Sequence, residues 1–155
     1  MARKQQDEGT AEMGRLLLEL TYTFFLNRAA SDRITLELGQ SSGRFGLLRT
    51  LVREGPRTVA DVARSRPVAR QGVQRLADGL ASEGLVEFAT NPSHRRSKLV
   101  KITPKGERVF REMARRHERH AAALAEGLST REVRTATRVL KSLRERLASL
   151  QAGGS

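Results

Sequence analysis

Hydrophobic residues recur at helical spacing from Met13 onward, along two lines rather than one. Met13, Leu16, Leu17, Leu20 and Phe24 form one stripe, and Leu18, Tyr22 and Phe25 form another. A helix that is apolar on two sides has to be covered on two sides. The pattern therefore predicts a helix with one stripe on its own lobe and the other on a partner chain. Residues 1–11 are polar and expected to fray, and residues 31–42 read as a linker or short helix. Helical spacing resumes over residues 43–54 with Phe45, Leu47, Leu48, Leu51 and Val52, and Gly55-Pro56 closes it.

Beyond that point the punctuation is dense. Thr58 is suited to cap a short helix, with Asp61 at its third position favourable to the positive helix end. Pro67 pushes Arg66 out of the helical region, so this helix should end near Ser65. A second helix is expected over residues 69–83, stopped by Gly84. Residues 86–89 and 99–103 read as short strands, with Asn91-Pro92-Ser93 as turn chemistry between them. Thr103-Pro104 opens a long helix with proline at a tolerated first-turn position. Phe110, Met113, His117, Ala121, Leu124 and Leu128 follow at spacings of three and four. Ser129-Thr-Arg-Glu132 is a capping box for a last helix carrying Val133, Ala136, Leu140, Leu143, Leu147 and Leu150. That alternation of three and four makes a narrow seam suited to helix–helix association.

Short helix, turn, second helix and two-stranded hairpin are the parts of a winged helix-turn-helix, which holds one helix in the DNA major groove and a wing over neighbouring phosphates. The expected fold is mainly α with a small β-wing. A winged lobe spans residues 43–103, and dimerisation helices at 12–32 and 104–150 complete a single domain over 1–155. Composition agrees: 38% hydrophobic and 4% aromatic residues are thin for a large monomeric core in a 155-residue chain, so a second copy is expected to complete it.

Charge sharpens the picture. The net charge of +12 calls for a polyanionic partner. Between Arg44 and Lys101 twelve Lys and Arg face five acids, so over half of the surplus lies in the suspected lobe. Cysteine is absent, which excludes disulfides and thiolate metal sites. No apolar run approaches the roughly 20 residues that cross a bilayer, and the first residues lack the apolar core of a signal peptide; a soluble cytoplasmic protein is expected. Neither a nucleophile elbow nor a phosphate-cradling glycine loop occurs, so no catalytic residue, cofactor or enzyme activity is expected. His117 and His120 stand three apart, but His117 falls in the apolar seam and zinc would need a further ligand. No metal site is therefore assigned.

The candidate contacts follow from chemistry. Arg70, Gln71 and Gln74 lie on the first turns of the second helix, with Arg70 and Gln74 on one face. Arginine pairs with guanine and glutamine with adenine in two-bond geometries. Arg75 is better placed for a phosphate. At the wing, Arg95, Arg96 and Lys98 suit the minor groove or its flanking phosphates, with His94 beside them. Tyr22, Phe25, Arg28 and Arg49 could line an effector pocket, but Tyr22 and Phe25 read better as plain core, so no effector site is assigned.

This segment resembles the MarR family of bacterial transcription regulators. The likeness is carried by Thr58-Val-Ala-Asp-Val-Ala63, Arg70-Gln71, Val73, Arg75-Leu76, Glu83-Gly-Leu-Val86, Asn91-Pro92, Arg95-Arg96, Lys98-Leu-Val-Lys-Ile-Thr103 and Pro104-Lys-Gly106. It covers roughly residues 43–107 in motif and the whole chain in helix order. The resemblance implies a homodimeric repressor that grips double-stranded operator DNA with two winged lobes. It also implies that a small ligand, often an aromatic acid or phenol, can bind between lobe and dimer helices and release the DNA. Two departures stand out. Where the family usually caps the reading helix with Ser or Thr, this chain has Ala69. Where the family has an acid before the wing's basic pair, it has His94, so an internal acid–arginine tie across the wing is in doubt. A low-specificity architectural DNA binder, a metal-responsive regulator using His117 and His120, and a protein-binding winged helix remain as alternatives.

Overall fold

The computed structural model describes residues 2–65, 68–94 and 96–153. Its elements in chain order are α1 (Ala2–Leu36), α2 (Ser42–Glu54), β1 (Arg57–Thr58), α3 (Val59–Arg64), α4 (Arg70–Ser82), β2 (Val86–Ala89), β3 (Leu99–Ile102), α5 (Pro104–Ala125) and α6 (Thr130–Ala152). The chain divides into two compact units, residues 1–117 and 118–155.

In the first unit β3 lies between β1 and β2 in an antiparallel sheet. Val86 pairs with Ile102 and Ala89 with Leu99, and β1 sets Arg57 against Val100. The core sits between this sheet and helices α2, α3 and α4. Leu47, Leu48, Leu80, Val100 and Met113 are fully buried. Two glycines set the junction after α4. Gly84 adopts φ +69, a conformation that costs L side chains about 1–2 kcal/mol. A Cβ on Gly106 would fall 2.0 Å from the Leu85 carbonyl oxygen, so glycine alone lets the start of α5 approach the α4–β2 connection this closely.

The caps fall where the side-chain chemistry placed them. Thr58 Oγ1 accepts from the Asp61 amide at 3.1 Å, and the Asp61 carboxylate accepts from the Thr58 hydroxyl at 2.7 Å and from its amide. These bonds, led by the Thr58 hydroxyl and aided by Arg64, hold the Asp61 carboxyl below its ordinary range. Its pKa is therefore lower folded than unfolded. The stability it adds is complete above the ordinary carboxylate range and disappears as pH falls through the lowered value. Asp61→Asn is expected to melt below the wild type at neutral pH, and the two should converge only as pH falls through the lowered Asp61 value, below the ordinary carboxylate range.

The structure departs from expectation, or decides between readings, at three places. Residues 2–11 are helical rather than frayed: Ala, Arg, Lys, Gln and Glu are good helix formers, and polarity alone does not stop a helix. Residues 31–42, read as linker or short helix, continue α1 as far as Leu36, where Thr35 turns its buried hydroxyl onto the Ser31 and Asp32 carbonyls. Helix α2 then starts at Ser42, capped by Ser41, and Asp32 accepts from the Ser42 amide at 3.0 Å. Third, the first apolar stripe of α1 does not lie sealed on its own lobe: Met13, Leu17 and Phe24 are exposed, as are Leu18, Tyr22 and Phe25. The lobe meets α1 chiefly near its C-terminal end, where Ser31, Asp32 and Glu37 find partners. The strand β1 had no sequence signal, since two residues carry no alternation. Arg66 and Pro67, invoked as the stop of α3, lie outside the described residues.

The second unit contains the end of α5 and the whole of α6. Ser129 and Glu132 form the expected capping box. Val133, Leu140, Leu147 and Leu150 of the seam are exposed, as are Leu124 and Leu128.

Candidate nucleic-acid interface

Helix α4 is anchored by Val73, Ala77 and Leu80, which are buried at helical spacing. That face fixes which side chains stand outward. Arg70, Gln71, Gln74 and Arg75 are all exposed. Arg70 and Gln74 share one side of the helix, and Gln71 and Arg75 the neighbouring side, because residues four apart stack. Gln74 Nε2 donates to Asp78 Oδ1 at 2.8 Å, leaving the amide oxygen and a second N–H for other partners. Asp78 was counted in the sequence only as a charge, although its i,i+4 spacing from Gln74 is the signal for such a pair.

The start of α4 is open. Ala69 is the N-cap, with extended backbone and no side-chain acceptor. The amides of Gly72 and Val73 reach its carbonyl at 2.9 and 3.2 Å. Losing a side-chain cap costs about 1 kcal/mol, and Gly72 and Gly79 add about 1 kcal/mol each relative to alanine. A Cβ on Gly72 would stand 3.4 Å from Val68 Cγ1, an ordinary contact. Gly72→Ala is therefore expected to stabilise the free protein by about 1 kcal/mol, read as a raised melting temperature; an unchanged or lower one would show that the glycine relieves a strain not visible in its surroundings.

On the wing, His94, Arg96 and Lys98 are exposed. The turn is held locally: Asn91 Oδ1 accepts from the Ser93 amide at 3.0 Å, and the His94 carbonyl accepts from the Ser97 amide at 3.0 Å. Lys101 pairs with Glu87 across β2 and β3 at 3.4 Å. Arg95 lies outside the described residues. Among the described residues no ion pair engages Arg70, Arg75, Arg96 or Lys98. Other arginines of the lobe are engaged instead: Arg44 with Glu83, Arg57 with Glu54 and Arg64 with Asp61.

A groove of about 1250 Å³ lies beside α4, lined from α1, α2, α3 and α4. Arg28, Arg33, Arg44, Arg49 and Arg75 line it against a single acid, Asp32, and Phe24 and Leu76 supply apolar wall. Arg28 and Arg49 thus fall where the sequence suggested, whereas Phe24 and not Tyr22 or Phe25 reaches the groove. Arg75, assigned to phosphate, lines it as well. His117 packs on Phe45, with ring centroids 4.2 Å apart and nearly parallel, and its Nε2 lies 3.5 Å from Ser31 Oγ. Among the described residues no three metal-ligating side chains gather, and no helix is long and apolar enough to cross a membrane.

Comparison with known proteins agrees with this geometry. A family model described as MarR family matches residues 39–97, which run from just before α2 to the turn that precedes β3. The uncharacterized protein Rv2011c of Mycobacterium tuberculosis is 35% identical over 105 residues, 68% of this chain and 73% of that protein. Among solved structures, the MarR family transcription regulator SP03579 is 28% identical with a TM-score of 0.77, over 94% of this chain and 98% of its own. Two more distant structures share the fold at 21% identity. One is a putative MarR family regulator from Listeria monocytogenes in complex with a 26mer DNA, with a TM-score of 0.78 over 86% of this chain and 89% of its own. The other is BpsR of Bordetella bronchiseptica, whose DNA binding is regulated by 6-hydroxynicotinic acid, with a TM-score of 0.73 over 86% of this chain and 98% of its own.

Proposed function

The chain belongs to the MarR family of transcription regulators, and from that premise we propose that it is a cytoplasmic, homodimeric, sequence-specific repressor that reads operator DNA with α4. The observation that carries this reading is the exposed set Arg70, Gln71 and Gln74 on a helix whose opposite face is buried. Arg70 and Gln74 take base edges in the major groove, where two-bond pairs discriminate by about 1–3 kcal/mol each. Arg75, His94, Arg95, Arg96 and Lys98 take phosphates or the adjacent minor groove, fixing register without reading sequence. The uncapped start of α4 leaves first-turn amides for a phosphate, which a helix N-terminus favours. Residues 43–103 form the DNA-binding lobe. The exposed apolar faces within 12–32 and 104–150 pair two copies, which sets two lobes on half-sites about one helical turn apart.

The groove supports release by a ligand. Five arginines against one acid, with Phe24 in the wall, suit a small aromatic anion, the kind of molecule that regulates the Bordetella protein. Occupancy beside α4 would change which arginines and which helix position are free for DNA.

Selection of bound sequences from a random duplex pool tests the central assignment. An enriched inverted repeat with half-sites about one turn apart is the expected result. Binding without enrichment would mean an architectural DNA binder, and no binding would return the lobe to protein recognition.

A further inference from the structure

Helix α4 contains a glycine that its own backbone does not require. Gly79 lies in the helix interior without a positive φ, where alanine would favour the helix. Its neighbour explains it: a Cβ there would stand 2.9 Å from Arg44 Nη2, because the guanidinium of α2 crosses α4 at this residue. Beyond the crossing, Arg44 Nη1 donates to Glu83 Oε1 at 2.6 Å and to Gln40 Oε1 at 3.2 Å, and Gln40 Nε2 donates to Glu83 Oε2 at 3.2 Å. The three side chains close a ring. Arg44 is half-buried and Gln40 buried, while Glu83 stands exposed at the rim of the ring. Lys105 adds a bond from Nζ to the Glu83 carbonyl at 2.7 Å. The Arg44 bond holds the Glu83 carboxyl below its ordinary range.

We propose that the Arg44–Gln40–Glu83 ring, threaded past Gly79, is a positioning clamp that fixes the angle of α4 for sequence reading. The proposal rests on α4 being the DNA-reading helix. Glu83 closes the C-terminal end of α4, and Arg70 stands thirteen residues away at its start, about 20 Å along the axis at 1.5 Å per residue. A tilt of about 5° at the clamp therefore carries Arg70 by nearly 2 Å on that lever. Base readout tolerates about 0.5 Å of misplacement, whereas phosphate attraction acts over roughly a Debye length of 8 Å. Removing the clamp should therefore damage discrimination far more than bulk attachment. Arg44 acts here as a positioning residue, not as a base contact.

The test measures affinity of the dimeric full chain for its selected duplex and for a random duplex at one salt concentration. Arg44→Gln is expected to lower the ratio of the two affinities by about tenfold or more, with random-duplex binding within a few-fold of wild type. Gly79→Ala is the complementary variant, because it improves helix propensity while its methyl, 2.9 Å from Arg44 Nη2, obliges the guanidinium to shift. It should keep or raise the melting temperature and still lower the ratio. A purely structural role would lower the melting temperature and leave the ratio alone. Combining the two substitutions should lose little beyond either one, since both open the same clamp. Folded variants that each keep the wild-type ratio within twofold would overturn the clamp while leaving the DNA-reading assignment standing. A wild-type chain that prefers no duplex would fail before any variant was compared, and would remove both.

Discussion

Alanine at Arg70 is expected to weaken binding to the selected operator by about ten- to a hundredfold per half-site, from the 1–3 kcal/mol of a two-bond contact. The preference for one base at the matching position should vanish with it. Random-duplex affinity should change only a few-fold, because Arg70 carries information and its charge is one of many: the lobe holds twelve basic residues. A dimer presents the residue to both half-sites, so the loss applies twice on a symmetric operator. Gln74→Ala should remove preference at a neighbouring base pair, since Gln74 lies one turn along the same face. Alanine at Arg96 or Lys98 should behave differently. Each should weaken all duplexes alike and reduce the slope of log affinity against log salt by about one per phosphate lost. Salt titrations on selected and random duplexes separate the two kinds of residue. An Arg70 variant that loses affinity uniformly would reassign that arginine to a phosphate.

What the sequence made legible was what local chemistry decides. Thr58 with Asp61, Ser129 with Glu132, Gly84 and Pro104 each mark a boundary through one or two side chains, and the helices and strands begin or end at them. Arg70, Gln71, Gln74 and Arg75 were legible as outward residues because Val73, Ala77 and Leu80 set the buried face. Long-range arrangements were not legible. Arg44 and Glu83 are separated by 39 positions, and nothing in either neighbourhood announces that the guanidinium passes Gly79 to reach the carboxylate. By local propensity Gly79 only weakens its helix; that it faces the Arg44 guanidinium is visible only in the packing. Phe24 in place of Tyr22 and Phe25 at the groove is of the same kind. A stripe shows which residues share a face, and only packing shows which of them meets the cavity.

Glutamate at both Leu140 and Leu147 is expected to leave a monomer and to cost operator affinity about a hundredfold or more. The two leucines lie seven apart on one seam of α6 and are 40% and 48% exposed, beside exposed Val133 and Leu150. A row of this length is seldom left to water unless a partner covers it. Placing charge in a desolvated seam strongly disfavours pairing. Operator binding then suffers because two linked lobes make the second half-site contact intramolecular, a gain of about 10²–10⁴ that separate monomers forgo. Sedimentation measures the assembly state, helical circular dichroism checks that α6 survives, and a duplex bearing one half-site isolates the lobe. A monomer that binds the single half-site as well as wild type does, yet binds the full operator no better, assigns the whole loss to pairing. If the variant sediments as a dimer, the seam of α6 is not the interface, and the exposed Leu18, Tyr22 and Phe25 of α1 become the surface to charge next.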